Sequence, residues 1–176
     1  MRHRFGAGAL GFRIGHMAVE IERKFLVAND QWKKSVTGSV HIRDGLVAYD
    51  HGKKVRVRIA DNRATLTIKG YRAGIARGEF EYPIPLSDAE DIFRTMCEGQ
   101  VLEKRRHLVS FDGMRWEVDV YEGLLAGVVI AEVEMATANQ TIAIPDWVGQ
   151  EVTGDPKYRK VNMHDARVAG LGATKA

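Results

Sequence analysis

Charged and apolar residues alternate along short segments throughout this chain, and this period of two limits the fold more than any other feature. The segment KKVRVRI places Lys54, Arg56 and Arg58 on one face of a strand and β-branched residues on the other. The turn signal DNR at 61–63 follows, and then the alternating segment ATLTIKG, which contains Lys69. The two segments therefore predict a β-hairpin.

The same alternation recurs in five further segments, each with charged residues on one face and mainly apolar residues on the other. These segments are VEIERKFLV (19–27), RGEFEYPI (77–84), LEKRRHLV (102–109), MRWEVDVY (114–121) and IAEVEM (130–135). About eight mostly short strands separated by turn signals predict an antiparallel sheet that closes into a barrel. Because helices are the minority, the predicted fold class is α+β.

Helices are predicted in three places. The clearest is LSDAEDIFRTMCEG, where Ser87 would be the N-cap, Glu90 would complete a capping box and Gly99 would end the helix. Shorter helices are predicted for NDQWKKSV, capped by Asn29 or Asp30, and for NMHDARVAG. We expect these helices to cover the apolar outer faces if the charged faces point inward.

The length of 176 residues and the apolar fraction of 45% predict one globular domain, which we place at residues 17–170. Residues 1–16 are expected to be a disordered extension before a working start at Met17, and 171–176 a short tail. The G-x-G-x-x-G motif in the extension has no strand before it, which excludes a dinucleotide site. No apolar run approaches the ~18 residues of a membrane helix. The single Cys97 is expected to be buried, in a reducing and cytoplasmic setting.

The formal net charge of +3 does not by itself predict a nucleic-acid-binding protein. Three bases and no acids lie in the first sixteen residues, and the chain from position 17 onward contains 23 bases and 23 acids. A neutral body without a basic and aromatic stripe argues against a surface that coats polyanions. Any affinity for phosphate must come from the local arrangement of charges.

The charged strand faces are segregated by sign. Paired acids mark three faces and bases another three, while VEIERKFLV mixes both. One interpretation is a solvated outer face with weak ion pairs, each worth about 0–1 kcal/mol. The other is an inward face that binds a polyanion and its divalent cations, because carboxylates bind hard cations and Arg and Lys bind phosphate oxygens. Since a hydrophobic interior is the commoner barrel design, periodicity alone leaves both interpretations open.

Eight motifs, taken in order, resemble those of CYTH proteins, the triphosphate tunnel metalloenzymes. The motifs are EIERKFLV, VRVRI, LTIKG, EFEYPIP, EKRRH, WEVDVYEG, AEVE and GQEVTGDPKY, and the match extends from about Val19 to about Val168. The resemblance is strongest to short bacterial single-domain members. It implies an eight-stranded antiparallel tunnel with its charged residues inside, and hydrolysis of a triphosphate with Mg²⁺ or Mn²⁺.

Carried over position by position, the resemblance implies two sets of site residues. The phosphate-binding set is Lys24, Arg56, Arg58, Lys69, Lys104 and Arg106, with Lys157 of DPKY as a C-terminal base. The metal-binding set is Glu20, Glu22, Glu81, Asp119, Glu132 and Glu134, supported by Glu79 and Glu117. The catalytic roles fall to Lys24, Arg58, Glu81 and Asp119. The segment YRKVN departs from the usual family pattern, which leaves the roles of Lys157, Arg159 and Lys160 open.

The favoured function is inorganic tripolyphosphatase, acting on a small-molecule triphosphate. No aromatic pair is placed to sandwich a base or a thiazolium, because Trp116 and Trp147 are predicted to be core, while Trp32 is the candidate for a tunnel mouth. Thiamine triphosphatase and a class IV adenylate cyclase are the alternatives within the family, and a non-catalytic oligophosphate-binding module is the alternative outside it. No nucleic-acid or membrane partner is expected, and a homodimer is left open.

Overall fold

The computed structural model describes residues 19–97 and 99–173, so the predicted extension at 1–16 and the start at Met17 lie outside the described residues. The strands are β1 (Val19–Val27), β2 (Val36–Asp50), β3 (Lys53–Ala60), β4 (Arg63–Ala73), β5 (Ala76–Ile84), β6 (Val101–Phe111), β7 (Met114–Tyr121), β8 (Val129–Glu134) and β9 (Val148–Glu151). The helices are α1 (Leu86–Met96) and α2 (Lys160–Ala173), with 3₁₀ segments at Asp30–Ser35, Gly123–Leu125 and Pro156–Tyr158. Within the described part of the chain, no helix is long and apolar enough to span a membrane.

Eight of the strands form a closed antiparallel barrel. Their order is β5-β4-β3-β2-β6-β7-β8-β1, and β1 pairs with β5 to close the sheet. The first residues of β1 pair with β5, its middle residues with β8 and its last residues with β9, which is an added ninth strand. The predicted α+β fold with a closed eight-stranded barrel is confirmed, and the hairpin of β3 and β4 lies where the sequence placed it.

A large part of the apolar core lies on the outside of the barrel. One cluster, under the 3₁₀ segment Asp30–Ser35 and the chain leading into β9, consists of Phe25, Trp32, Val109, Trp116, Val118, Ala131, Val133 and Trp147. Trp116 and Trp147 are core residues, as predicted. The tunnel-mouth expectation for Trp32 is wrong. Asn29 caps the 3₁₀ segment by accepting from the Gln31 backbone N–H, and the indole of Trp32 packs on the outer wall against the ring of His107.

Helix α1 covers a second outer cluster, made of Val57, Ile59, Ala64, Ala89, Phe93 and Cys97. The predicted capping box does not form. Pro85, with an extended backbone, directly precedes the helix, so Ser87 falls inside the first turn and no side chain caps the N-terminus. Glu90 is instead engaged by Arg43 of β2, whose two terminal nitrogens donate to it at 2.7 and 3.2 Å.

Gly45 of β2 lies directly beneath α1, where there is no room for a side chain. A Cβ atom at this position would lie 2.6 Å from Cys97 Sγ and from two ring carbons of Phe93. Replacing Gly45 with alanine is expected to lower the free energy of unfolding by about 1–3 kcal/mol, because an overpacked site forces its neighbours to move. Urea denaturation measures this change. Gly78→Ala is the matched control, since the added Cβ would meet no atom within 4 Å, and equal destabilisation by both substitutions would contradict the packing explanation.

A third apolar cluster closes one end of the barrel interior. It consists of Leu102, Tyr121, Leu125, Ile130 and Met163. Its strand residues are two positions away from charged interior residues on the same strands, so they face the interior too. Leu125 comes from the Gly123–Leu125 segment and Met163 from α2, so both elements pack at this end. Helix α2 begins at Lys160, two residues before the predicted start, and it continues past the predicted end at Gly170.

Among the described residues, the part of the β4–β5 outer face that lies beyond α1 lacks the cover that was expected. Ile68, Phe80 and Tyr82 are 43%, 39% and 51% exposed. The expectation that helices cover the apolar outer faces therefore holds under α1, whereas a 3₁₀ segment covers the Trp116 cluster. No described helix covers the outward side chains of Ile68, Phe80 and Tyr82.

Candidate active site

The charged strand faces point into the barrel. The interior contains a cavity of about 830 Å³ with charged side chains from β1 to β8 in its wall. The opposite, apolar faces of the same strands form the clusters packed under α1 and the Asp30–Ser35 segment. The inward orientation of the charged faces is therefore correct.

Ten of the predicted site residues line this one cavity. They are Glu20, Glu22, Lys24, Arg56, Arg58, Lys69, Glu81, Arg106, Glu132 and Glu134, and the supporting Glu79 and Glu117 line it too. Lys104 and Asp119 lie beneath the wall, at 1% and 0% exposure. Lys157 is exposed and lies over the ring of Tyr158, outside the cavity lining, whereas Lys160 lines it.

Glu20 and Glu22 of β1 are held by bases from the β4–β5 hairpin. Glu20 accepts hydrogen bonds from Lys69 Nζ at 2.9 Å and from Arg77 Nε at 2.5 Å. Glu22 accepts from Arg72 at 2.5 Å and from Arg77 at 3.1 Å. Burial would raise the pKa of Glu20, but Lys69 and Arg77 hold this pKa far below its ordinary value. Glu20 is therefore ionised at neutral pH.

Lys24 lies between two carboxylates of neighbouring strands. Its Nζ donates to Glu132 of β8 and is 3.4 Å from Glu22 Oε1. Burial alone would lower the pKa of Lys24, but the charges of Glu132 and Glu22 raise it. The β1 backbone is fixed at the same point, because the Lys24 N–H donates to Thr153 Oγ1 at 2.9 Å. The site thus contains a protonated base beside its acidic residues.

Asp44 of β2 lies at the centre of a cluster of bases. Arg58 donates to both of its oxygens, at 2.7 and 3.0 Å, and Lys160 Nζ donates at 2.6 Å. Arg56 and Lys104 approach it to 3.8 and 4.0 Å. Burial would raise the pKa of Asp44, but these bases, Arg58 first among them, hold it well below its usual range. Lys104 also donates to Asp119, and Arg56 also lies 3.7 Å from Glu81, so Asp44 is the counter-charge chiefly of Arg58 and Lys160. Arginine and lysine donors gathered in this way can also bind the oxygens of another anion.

Arg106 of β6 is fixed by carboxylates of β7 and β8. It donates to the two oxygens of Asp119 at 2.7 and 2.8 Å, to Glu132 at 3.0 Å, and also to Glu117. Lys104 donates to the same Asp119. Asp119 thus holds two predicted phosphate-binding bases from beneath the wall. Its direct roles in catalysis and metal binding stay predictions.

Polar groups that face the interior lack a hydrogen-bond partner among the described residues. Lys54 lies directly opposite Lys69 in the β3–β4 register, and no described residue forms a hydrogen bond or ion pair with it. Burial, followed by the charges of Arg77 and Lys69, lowers the pKa of Lys54 well below its usual value. The buried Arg56 Nε and Thr65 Oγ1 also accept or donate no hydrogen bond within the part of the chain that the structure describes. Such groups are costly when unpaired, and an anion with several oxygens would satisfy them.

The acids are crowded on another part of the wall. Burial, followed by the charges of Glu20 and Glu117, raises the pKa of Glu134. Glu81 accepts a hydrogen bond from Thr67 Oγ1 at 3.0 Å. Carboxylates that raise one another's pKa are relieved by a divalent cation, and hard cations such as Mg²⁺ prefer carboxylate oxygens. The donor set therefore fits such an ion.

Several residues that line the cavity received no role from the sequence, among them Asp44, Lys54, Arg72, Arg77 and Lys160. A signal for Arg77 is present in the sequence, because it shares a strand face with Glu79. Arg72 gives no such signal. A register shift between Lys69 and Arg72 interrupts the period of two and turns Arg72 inward.

Comparison with protein-family models matches residues 18–162 to the CYTH domain. The chain belongs to the CYTH family. This CYTH chain is 44% identical to an inorganic triphosphatase of Acetivibrio thermocellus over 147 residues, which are 84% of this chain and 94% of the relative. It is 33% identical to an inorganic triphosphatase of Nitrosomonas europaea over 144 residues, which are 80% and 93% of the two chains. A crystal structure of an inorganic triphosphatase is similar with a TM-score of 0.58 and 31% identity, covering 85% of this chain and 97% of the other.

Proposed function

We propose that this CYTH protein hydrolyses inorganic tripolyphosphate inside its barrel. The observation that carries the proposal is the basic cluster around Asp44, where four bases lie within 4.0 Å of one buried carboxylate and Arg56 Nε has no hydrogen-bond partner among the described residues. A linear triphosphate presents several anionic oxygens in a row, which is the ligand that such donors bind. The similarity to two relatives named inorganic triphosphatase supports the same substrate.

The shape of the cavity favours an inorganic triphosphate over one that carries a base. The apolar cluster at α2 closes one end of the interior, and the three tryptophans lie in the outer core. Tyr49 and Tyr71 line the cavity but are 45% and 55% exposed, and the two rings make no contact with each other in the described residues. A nucleobase or thiazolium would find no aromatic sandwich among the described side chains.

The reaction is proposed to require Mg²⁺ or Mn²⁺. The residues that would hold the ion are Glu20, Glu22, Glu81, Glu132 and Glu134. When bound, the ion would neutralise phosphate charge and lower the pKa of an attacking water. Asp119, the remaining predicted ligand, lies deeper and would act through the Lys104 and Arg106 side chains that it holds.

The protein's own side chains bind and orient the substrate. Lys24, Arg58 and Arg106 would contact oxygens of the reacting phosphoryl group and stabilise the charge that develops during in-line attack. Lys54 and Lys69, which face each other across β3 and β4, would hold the remaining phosphates. Glu81 would orient the attacking water from the cavity wall. Enclosure in the barrel strengthens each of these interactions, because the local dielectric is lower than in water.

We also propose a cytoplasmic protein with its catalytic domain at residues 17–170. Its partner would be a small-molecule triphosphate, without nucleic acid or membrane. The neutral charge balance of the chain after position 16 supports the exclusion of nucleic acid.

The substrate and the metal can be tested together. The purified chain is offered tripolyphosphate, thiamine triphosphate, ATP and pyrophosphate, each with Mg²⁺, Mn²⁺ or EDTA, and phosphate and cyclic AMP are measured. Phosphate release from tripolyphosphate is expected to exceed release from the other three and to stop in EDTA.

Other outcomes would replace the proposal. Faster release from thiamine triphosphate, or cyclic AMP from ATP, would assign one of the other triphosphate chemistries. Tight binding of tripolyphosphate without any release would make the chain a binding module. Full activity in EDTA would contradict the metal requirement.

A further inference from the structure

A group of metal-ligating side chains lies on the outer wall of the barrel, away from the cavity. His41 of β2, Glu103 of β6 and Glu122, which directly follows β7, each offer one ligand atom, and these atoms lie within 4.8 Å of one another. His41 and Glu103 alternate with Ile42 and Lys104, whose side chains are buried on the inner face. None of the three residues lines the cavity. The group is therefore separate from the proposed triphosphate site.

The spacing of the ligand atoms suits a single small cation. His41 Nε2 is 3.6 Å from Glu103 Oε2 and 3.6 Å from Glu122 Oε2. In a tetrahedral zinc site, nitrogen and oxygen ligands about 2.0–2.2 Å from the metal are about 3.3–3.6 Å apart. The three side chains thus need only small movements to bind one ion.

The backbone holds the three residues in fixed positions. The Glu122 N–H donates to the Glu103 carbonyl oxygen at 2.9 Å, which joins the two acidic residues. The His41 N–H donates to Asp61 Oδ1 at 3.3 Å, and the Asp61 N–H returns a bond to the His41 carbonyl oxygen at 3.1 Å. One competing base is near: Arg105 Nε is 3.8 Å from Glu122 Oε1. That separation exceeds a hydrogen bond, so Glu122 is only loosely engaged.

We propose that His41, Glu103 and Glu122 form a surface site for a divalent cation of the zinc type. One imidazole and two carboxylates match the ligands that Zn²⁺ accepts, and water would complete its coordination. Mg²⁺ is disfavoured here because it prefers oxygen ligands in an octahedral arrangement. The ion would link β2, β6 and the chain after β7 on the outside of the barrel. The site does not depend on the proposed triphosphatase activity.

Zinc binding to the whole chain tests the proposal. The protein is stripped with EDTA, desalted, and titrated with ZnCl₂ by isothermal calorimetry in excess Mg²⁺, added to compete for the carboxylates of the cavity. One zinc equivalent is expected. His41→Ala and Glu103→Gln each remove a direct ligand, so each is expected to weaken binding at least as much as loss of an outer-shell partner, which typically costs about 10–100-fold.

The chain offers a matched control in His51. Its ring is exposed and lies 2.5 Å from Asp50, so it pairs with one carboxylate instead of two. His51→Ala is expected to leave the zinc equivalent unchanged. Circular dichroism establishes that each variant is folded, and Mg²⁺-supported activity of the His41 and Glu103 variants is expected to stay at the wild-type level.

Three results would overturn the site. The first is an unchanged zinc affinity in both the His41 and Glu103 variants. The second is no zinc binding by the wild-type chain in excess Mg²⁺. The third is loss of the bound zinc ion in His51→Ala. If His41→Ala fails to fold, the zinc affinity of Glu103→Gln alone tests the site. The Glu103 side chain is exposed, so replacing it removes no core packing.

Discussion

Replacing Lys24 with alanine is expected to lower kcat for tripolyphosphate by about 10²–10³-fold, the loss typical when one charge-stabilising donor is removed from an active site. Lys24 Nζ lies among the interior carboxylates and is kept protonated by Glu132 and Glu22. The barrel should remain folded, because Glu132 keeps its bond from Arg106 and Glu22 keeps its bonds from Arg72 and Arg77. Steady-state phosphate release at saturating substrate measures the effect.

The neighbouring residue supplies the control. Arg23 is also a base of β1, but it points outward and pairs with Glu151 at 2.6 Å. Arg23→Ala is expected to keep kcat near the wild-type value. If Lys24→Ala also retained wild-type turnover, the assignment of Lys24 to the substrate would be wrong. Arg58→Ala gives a second, independent measurement from β3.

The period of two predicted the strands well because both faces of most barrel strands are distinctive. In β3, β7 and β8 one face is charged and the other is mainly apolar, which is typical of a strand between two different environments. The same alternation explains why periodicity alone could not show which strand face points into the barrel. The alternating sequence is the same whichever face of the strand points into the barrel. Only the apolar clusters packed on the outer wall show that the charged face is the inner one.

Asp44 was missed because β2 does not follow the pattern of the other strands. The interior positions near it are Val40, Ile42 and Leu46, which are apolar, whereas His41 and Arg43 face outward. Taken alone, the sequence of β2 suggests an apolar interior face with a single acidic residue. The importance of Asp44 comes from residues far away in the chain, above all Arg58 and Lys160.

Lys160 could not be assigned from the strand pattern for a related reason. It is the first residue of α2, and its Nζ meets Asp44, which is 116 positions earlier in the chain. The family motif pointed to a base in this segment but favoured Lys157. Only the packing of α2 across the end of the barrel, with Met163 in the interior cluster, decides which lysine enters the cavity.

Replacing Asp44 with asparagine is expected to lower the free energy of unfolding at neutral pH by about 3–5 kcal/mol, because cations buried around it lose their counter-charge. Arg58, Lys160, Arg56 and Lys104 all lie within 4.0 Å of this one carboxylate. Denaturant unfolding in EDTA, without substrate, measures the loss. Asp50→Asn is the control on the same strand: its side chain is 73% exposed, and exposed pairs contribute about 0–1 kcal/mol.

The pH dependence of the unfolding free energy lost in Asp44→Asn distinguishes the missing charge from poor packing of the asparagine side chain. The bases around Asp44 hold its pKa in the folded protein below the ordinary value of about 3.9, so its ionised form stabilises the fold above that pH. The difference in unfolding free energy between wild type and Asp44→Asn should therefore be constant near neutrality and shrink as the pH falls below about 4. A difference that persists unchanged in acid would mean that asparagine merely fits the site badly. Tripolyphosphate added in EDTA should stabilise the variant, because it supplies negative charge beside the bases that Asp44 no longer neutralises.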